Sequence, residues 1–559
     1  PTPAMSESSL ASELRALLQL SIPLGLTSAA RIGQLLTDQS VLGHLTTAAG
    51  EPTAIYLDGA SLALLWMNLT NGAVVRGVSS AVGVLVAQAL GAGARESAGG
   101  WLTLGLVSTL LGSAAVAGLW LLTPLLLGAF IADAQAVSLA AEYALLSIGW
   151  LLPTQCLEVL NATLTAQGIV LPQLLAYPTF LVINFGLNYL FVLRLRLGLP
   201  GSPLGTAATR VGLLLSVLLL TAHLPRLGRC PRLPRSRPRT APAAPGRRYW
   251  HRQGSAAEPL QPRVEEPAEP LPTQTTEASA ATILPPTAAR LPEPPLLIRP
   301  ISVRTAVRAD RLNIFSRQVA PTLLSSLLEE LQLETVGLLA GRLGAEAMST
   351  HAAMLMTFFW LTAPMFGLVR AISVRVGLHL GAGSPREAKR AAALGYACCC
   401  SLALLVSAAL VLLRRELGQV FSSDATVVTM VGQIAPIVAA AYALVGIFYG
   451  SVATLNGQGR PLSVVFAFLS GAFFISPAAG YVLSDRLRCC AGVPLRGVWL
   501  GLVAGYSVTS TLVFIAVLRS DWPALARAAI SRNRPAAEVG PAVCGAQGGR
   551  WNGERGFGE

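Results

Sequence analysis

The amino-acid sequence predicts an all-α polytopic membrane protein whose twelve transmembrane helices form two six-helix, pseudo-symmetric lobes. The first observation is composition: of 559 residues, 53% are hydrophobic and only 12% are charged, with a mean hydropathy of +0.58. A soluble protein carries about 25% charged residues. The second observation is a series of continuous apolar runs longer than about 18 residues, which indicates membrane helices rather than a barrel. The third is an internal repeat of the whole six-span pattern.

Twelve apolar runs are long enough to cross a bilayer. They cover residues 14–42, 54–88, 101–127, 136–163, 171–195 and 203–225 in the first half, and 313–343, 351–379, 391–413, 427–455, 461–484 and 496–519 in the second half. We therefore expect an N-terminal tail at 1–12, a first lobe at 13–225 and a second lobe at 312–519. Because each half holds an even number of spans, both begin on the same side of the membrane and are parallel repeats.

Two segments lie outside these lobes. Residues 226–311 are dense in Pro, Arg, Ala, Glu and Thr, so they cannot bury a core and are predicted to be a disordered linker. Fifteen of the 41 basic residues fall in this linker, so the net charge of +13 reflects topology and composition, and we expect no nucleic-acid partner. Residues 520–559 are predicted to be a polar C-terminal tail that begins with the amphipathic stretch DWPALARAAISR.

No pattern of catalytic or metal-binding residues is evident. The eight cysteines lack metal or disulfide spacing, and Cys398, Cys399 and Cys400 lie inside an apolar span, which favours a packing role. The five histidines are scattered along the chain. Two Asn-X-Thr sequons, at Asn68 and Asn161, fall inside spans, and there is no nucleotide-binding loop or nucleophile motif. We expect no enzyme activity, no cofactor and no metal site.

The repeat is visible as markers that recur in the same order. Their pairs are Pro23 with Pro321 and Gly43 with Gly341, both offset by 298 residues; Gly93 with Gly383, offset by 290; Gln167 with Gln458, offset by 291; and the loops GLPG and GVPL, offset by 294. Because the offset drifts only slightly, each half is predicted to be one six-helix unit used twice.

The seventh span, APTLLSSLLEELQLETVGLLAGRLG, carries three carboxylates where a membrane helix should carry none. At 100° per residue, Glu329, Glu330 and Glu334 share a face of about 140°. A charge near the bilayer centre costs at least ~2.5 kcal/mol, so such residues normally face a bundle interior or a wet cavity. This face is predicted to handle protons and cations. The competing interpretation is that the acids pair with an arginine such as Arg31 or Arg76 and fix helix packing.

Taken together, these markers resemble the multidrug and toxic compound extrusion (MATE) family of cation antiporters, in the branch found in animals and plants. The resemblance covers roughly residues 13–225 and 312–530. The resemblance rests on the motifs TDQSVLGHL, VAQALGAG, TAQGIVLPQ, INFGLNYLFV, APTLLSSLLEELQLE, ISVRVGLHLGAGSPREAKRA, ATLNGQGRP and PLRGVWLGL. Single motifs such as GAG are weak, whereas their order, spacing and duplication are specific.

In the second lobe, the resemblance implies where the exchange site lies. The family's animal and plant branch has a Pro in the seventh span, a Glu eight residues later and another five after that, and Pro321, Glu329 and Glu334 match. Glu330 is not a family position, yet it shares their face and remains a candidate. Relatives often carry an acid in the tenth span where this chain has Val445, which puts binding of strongly cationic compounds in doubt.

In the first lobe, the resemblance implies a polar pocket. Asp38 matches an Asp of bacterial members, and Asn184 and Asn188 match a pair that lines the pocket in some branches. Interhelical hydrogen bonding is the alternative role for both asparagines. Plant-like members often have an acid where this chain has Gly83. Arg31 is either an ion-pair partner of Asp38 or another cavity acid, or a residue that snorkels near a span end.

The resemblance implies an antiporter that exchanges protons or sodium ions for organic cations, xenobiotics or secondary metabolites by alternating access. We expect a monomer in a lipid bilayer, with the linker and both termini in the cytoplasm, although the charges of the short loops do not support one orientation. Plasma membrane, vacuole and plastid all fit. A transporter of the major facilitator class is a rival, but its basic second loop is reduced to Arg95 here. A lipid-linked oligosaccharide flippase and a membrane scaffold are further rivals.

Overall fold

The computed structural model describes residues 10–43, 54–223, 298, 300–421, 425–486 and 493–533, and every regular element in them is a helix. The twelve long helices are α1 Leu10–Gly43, α2 at 54–91, α3 Arg95–Leu121, α4 Ala134–Ala166, α5 Leu171–Arg194, α6 Gly201–His223, α7 Ala309–Gly341, α8 Ala345–Gly381, α9 Pro385–Leu412, α10 Ala425–Gln458, α11 at 461–486 and α12 Leu495–Leu518. Four short helices, Thr123–Gly128, Val303–Ala306, Leu417–Phe421 and Trp522–Arg532, flank them. The predicted all-α fold with twelve helices in two lobes is confirmed.

Ten of these helices are long and apolar enough to cross a membrane, and α1 and α7 are not among them. Both have a suitable length, 34 and 33 residues, but both carry ionisable side chains along their course. They are repeat partners, and each supplies candidate site residues. The two helices that depart from membrane composition are therefore the first helix of each lobe.

Backbone geometry bears out the internal repeat. Gly93 and Gly383, which end the AQALGAG and GLHLGAG motifs, have φ of 73° and 70°, and Gly168 and Gly459 have φ of 77° and 74°. L-residues with a Cβ rarely adopt this left-handed conformation, so glycine is required where α2, α4, α8 and α10 turn sharply into the next helix. Helices α5 and α11 also both end in a π-helical stretch, Tyr189–Arg194 and Val482–Arg486.

The two lobes meet along α1 with α8 and along α2 with α7 and α8. The approach is close enough to require glycine: a Cβ on Gly381 of α8 would lie 2.0 Å from the carbonyl oxygen of Gln88 in α2. Gln88 also donates from Nε2 to the carbonyl oxygen of Gly457 at 3.0 Å. Nearby, the buried Glu13 of α1 accepts a hydrogen bond from Arg375 Nε of α8 at 2.8 Å. These contacts join the lobes at the end of the bundle where α1 begins.

The C-terminal helix Trp522–Arg532 also joins the lobes. Asp521 caps it by accepting from the backbone N–H of Ala524 at 3.0 Å. At its other end, Asn533 Oδ1 accepts from Trp101 Nε1 of α3 at 3.0 Å. The amphipathic stretch predicted at the start of the tail is therefore a helix that follows the second lobe and binds the first.

The predicted linker ends earlier than expected. Residues 300–311 were assigned to it, but Val303–Ala306 is helical and α7 begins at Ala309. The reason is a long-range contact: Thr103 Oγ1 of α3 accepts from Ile301 N at 2.9 Å and donates to Ile301 O at 3.1 Å, which ties this segment to the first lobe. The remainder of the linker, 226–297, the tail beyond 533 and residues 1–9 lie outside the described residues.

Candidate functional site

The second-lobe part of the site is the acidic face of α7. Glu329 is half-buried, and the hydroxyl of Tyr449, on α10, is a hydrogen-bond donor to its carboxyl group. Arg76 of α2 and Tyr506 of α12 also interact electrostatically with Glu329. The structure therefore places this carboxyl group against tyrosines of two other second-lobe helices and facing an arginine of the first lobe.

Glu330 has a different partner from its neighbour. Its Oε1 forms a salt bridge with Arg76 Nη2 that links α7 to α2 across the lobe boundary. Arg76 is 45% exposed and Glu330 19%, so this pair is partly accessible and is worth less than a buried pair. The packing alternative raised by the sequence thus applies to Glu330, the one acid of the three that has no family position.

Glu334 lies one turn further along α7 and is half-buried. Within the described part of the chain, it has no salt bridge, and the nearby charge of Glu330 repels its carboxylate. The three carboxylates thus differ: Glu330 is neutralised by an arginine, Glu329 is held by a tyrosine, and Glu334 is unpaired. Glu329 and Glu334 therefore have no salt bridge among the described residues.

Aromatic side chains surround the Tyr449 end of this face. Tyr449 packs against Phe448, with ring centroids 4.8 Å apart, and against Phe366 of α8 at 5.7 Å. Phe448 in turn contacts Phe468 of α11 at 5.3 Å and Tyr506 at 5.9 Å. Phe448, Phe468 and Tyr506 are buried, so Tyr449 and Phe366 are the rings of this cluster that are partly exposed.

The first-lobe part of the site centres on Asp38, which is 6% exposed. Its Oδ1 accepts from Asn184 Nδ2 at 2.6 Å and from Asn188 Nδ2 at 2.9 Å, both on α5. Its Oδ2 accepts from Thr206 Oγ1 of α6 at 3.1 Å. The structure brings together the three residues that the sequence grouped, and it adds Thr206. Every hydrogen bond to the carboxylate joins α1 to another helix of the first lobe.

Asp38→Asn should leave the thermal stability of the detergent-solubilised protein close to that of the wild type, whereas Asp38→Ala should lower it. The amide oxygen of Asn can still accept from Asn184 and Asn188, and the Thr206 hydroxyl can rotate to accept from the new NH₂. Alanine removes the acceptor of three buried donors, of which Asn184 and Asn188 keep a second acceptor at 3.2 and 3.0 Å, so we expect a loss of about 1–3 kcal/mol. Equal melting temperatures for the Asn and Ala variants would contradict this hydrogen-bonding assignment.

A second buried carboxylate, Glu158 of α4, organises the interior of the first lobe. It is 3% exposed, and its Oε2 accepts from Arg31 Nη1 at 2.9 Å and from Arg370 Nη2 of α8 at 3.4 Å. Its Oε1 accepts from the Tyr177 hydroxyl at 3.0 Å, and that hydroxyl accepts from Asn161 Nδ2 at 2.9 Å. Arg31 therefore pairs with an acid other than Asp38, and it does not snorkel to a membrane surface.

Sequence reasoning missed Glu158, Arg370 and Tyr449. A signal existed for two of them, because Glu158 in the span 136–163 and Arg370 in the span 351–379 violate membrane composition in the same way as the acids of α7. Val445 and Gly83 stand at the two positions where the resemblance leads one to expect acids, and both make packing contacts. Val445 is fully buried, and a Cβ on Gly83 would lie 3.5 Å from Ala162 of α4. The described residues contain no cluster of three metal-ligating side chains.

Comparisons with known proteins agree with this architecture. A family model, MatE, matches residues 23–190 and 321–482, one segment in each lobe. Multidrug and toxin extrusion protein 2 of Oryctolagus cuniculus is 24% identical over 518 residues, which cover 91% of this chain and 71% of that protein. Protein DETOXIFICATION 48 of Arabidopsis thaliana is 24% identical over 520 residues, which cover 91% of this chain and 81% of that protein.

A solved structure shows the same fold. The crystal structure of a eukaryotic MATE transporter superposes with a TM-score of 0.73 at 20% identity, over 94% of this chain and 100% of that one. The family model matches more than half of this chain and begins at corresponding prolines, Pro23 and Pro321, in the two repeats. The chain therefore belongs to the MatE family of multidrug and toxin extrusion transporters, as an integral, multi-pass membrane protein.

Proposed function

We propose that this chain exports organic cations in exchange for protons, by alternating access between its two lobes. The observation that supports this most is the pair of carboxyl groups, Glu329 and Glu334, that α7 holds inside the membrane without a salt bridge among the described residues. An ion-exchange site needs a carboxyl group that is not permanently neutralised by the protein, and both groups meet that condition.

The exchange follows from simple electrostatics. A carboxyl group that is removed from water holds a proton more readily, because its charged form has lost solvation. An arriving cation restores the stabilisation of the charged form and releases the proton, and a proton from the other side then displaces the cation. Glu330 interacts electrostatically with both groups, so the protonation of each depends on the charge that Glu330 carries. No covalent step is required.

The surroundings of Glu329 favour a hydrophobic cation as the cargo. Tyr449 lies beside the carboxyl group, and both Tyr449 and its neighbour Phe366 are partly exposed; cation–π contacts with such rings are worth about 0.5–2 kcal/mol each. Apolar walls with few fixed hydrogen bonds accept cargo of varied shape.

Purified protein in liposomes tests the proposal. A fluorescent organic cation should cross the membrane when a pH gradient is imposed, and the flux should stop when a protonophore collapses that gradient. A sodium gradient at equal pH on both sides should drive no flux. If transport follows the sodium gradient and not the pH gradient, Na⁺ and not the proton is the coupling ion. Flux equal to that of protein-free liposomes under both gradients would refute cation export.

A further inference from the structure

Three arginines face the interior of the first lobe and its boundary with the second: Arg31 of α1, Arg210 of α6 and Arg370 of α8. Arg31 lies deep within the protein, yet 30% of its side chain is accessible, and Arg370 is 36% accessible. Both guanidinium groups bind the same oxygen of Glu158, at 2.9 and 3.4 Å, so the two arginines lie side by side. Arg210 lies one turn beyond Thr206, which binds Asp38, and it interacts electrostatically with Asp38, Glu158 and Arg31.

These arginines outnumber the carboxyl groups near them. Asp38 and Glu158 are the acids that interact with Arg210, and both are already occupied. Asp38 accepts the three hydrogen bonds described above, and the two oxygens of Glu158 are taken by Arg31, Arg370 and Tyr177. The local charge is therefore positive whether Asp38 is ionised or protonated. An excess cation inside a membrane protein is costly, and such residues typically mark a substrate or ion pathway.

The guanidinium groups also have N–H donors that no described residue accepts from. Each carries five N–H donors in a planar fork, and the described residues accept one bond from Arg31, one from Arg370 and none from Arg210. This fork matches the two oxygens of a carboxylate, or those of a sulfonate or phosphate, in a bidentate arrangement. Structural neutralisation of Glu158 explains Arg31 and Arg370 but leaves Arg210 without a role.

We propose that Arg31, Arg210 and Arg370 form an anion subsite that binds the carboxylate of a zwitterionic cargo. The inference rests on the proposed export function and narrows its cargo: the cationic part faces the acids of α7, and the carboxylate faces these arginines. The two regions thus have opposite polarity, with three arginines around Glu158 and Asp38 and with carboxyl groups along α7. A cargo that bears both charges complements both lobes.

A matched pair of dyes tests the subsite. A rhodamine with a free carboxylate is a zwitterion at neutral pH, and its methyl ester is a cation of nearly the same shape. We expect the wild-type protein, in detergent without added lipid, to bind the free acid at least about tenfold more tightly than the ester, as measured by fluorescence anisotropy. That ratio corresponds to one charge-assisted hydrogen bond.

The variants decide which arginines are responsible. Arg210→Gln should bring the affinity ratio close to one, Arg210→Lys should recover part of it, and Arg194→Gln should keep the wild-type ratio because Arg194 is exposed at the end of α5. If Arg210→Gln does not fold, Arg370→Gln gives the same reading, since Arg31 still pairs with Glu158. Equal affinities for the two dyes in the wild type, failure to bind the free acid, or a ratio unchanged in both Gln variants would overturn the subsite.

Equilibrium binding separates this inference from the transport proposal. The dye ratio is measured without any gradient, so a positive ratio can stand even if proton coupling fails. Conversely, proton-driven flux of the ester without preference for the acid would support the export function and eliminate the anion subsite alone.

Discussion

Glu329→Gln should abolish pH-driven export of a fluorescent cation while the protein remains folded. The amide has the same shape and can still accept a hydrogen bond from the Tyr449 hydroxyl, so packing is preserved. It cannot release a proton, and it offers no negative charge to the arriving cation, so both halves of the exchange are lost. The measurement is the initial rate of dye movement in proteoliposomes, which should fall to that of protein-free vesicles. Glu334→Gln should have the same effect, because Glu334 is the second carboxyl group without a salt bridge among the described residues.

Two further Glu→Gln variants make this result specific. Glu346→Gln alters an exposed acid at the start of α8 and should transport at the wild-type rate. Glu330→Gln should retain pH-driven export, because the charge of Glu330 is already balanced by Arg76. In this variant Arg76 has lost its salt-bridge partner. Because Arg76 is 45% exposed, this loss lowers the free energy of unfolding by at most about 1 kcal/mol. Full transport by both Glu329→Gln and Glu334→Gln would remove α7 from the coupling mechanism.

The fold could be predicted from the sequence because features that are local in the chain determine it. Long apolar runs mark membrane helices whatever they pack against, and the repeat can be read from the spacing of single residues such as Gly93 and Gly383. Their shared left-handed φ explains why glycine recurs there, since another residue would strain the turn. The end of the linker was placed too late because its last residues owe their order to Thr103, about 200 positions earlier in the chain. That contact leaves no trace in local composition.

Only part of the candidate site could be predicted from the sequence. The grouping of Asp38 with Asn184 and Asn188 came from a family resemblance, and the structure brings these side chains within hydrogen-bonding distance. The partner of Arg31 could not be deduced, because Glu158 is 127 residues away and the apolar run around it shows nothing of the direction in which it points. Pairing between helices depends on packing, and periodicity within one helix does not determine it. The functional roles of these residues stay predictions that transport and binding measurements must test.

Glu158→Gln should cause the largest loss of stability of any single substitution in the first-lobe network. It removes a carboxylate that accepts hydrogen bonds from Arg31, Arg370 and Tyr177, and it leaves two guanidinium groups with no acid within salt-bridge distance among the described residues. Breaking a buried ion pair costs about 3–5 kcal/mol. Since both arginines are about one-third accessible to solvent, we expect the lower end of that range. The melting temperature of the purified protein in detergent measures the effect.

A double-mutant cycle measures how much of this loss comes from the pairing of Glu158 with its arginines. Arg31→Gln and Arg370→Gln should each cost less than Glu158→Gln, because each leaves Glu158 with one arginine and with Tyr177. Adding Arg31→Gln to Glu158→Gln should then cost little more than Glu158→Gln alone, or even restore stability, since it removes an unpaired charge. Independent, additive losses would mean that Glu158 and Arg31 do not stabilise the protein as an ion pair. Because Arg370 belongs to α8 and Glu158 to α4, a large coupling energy between them would also measure how strongly this carboxylate holds the second lobe against the first.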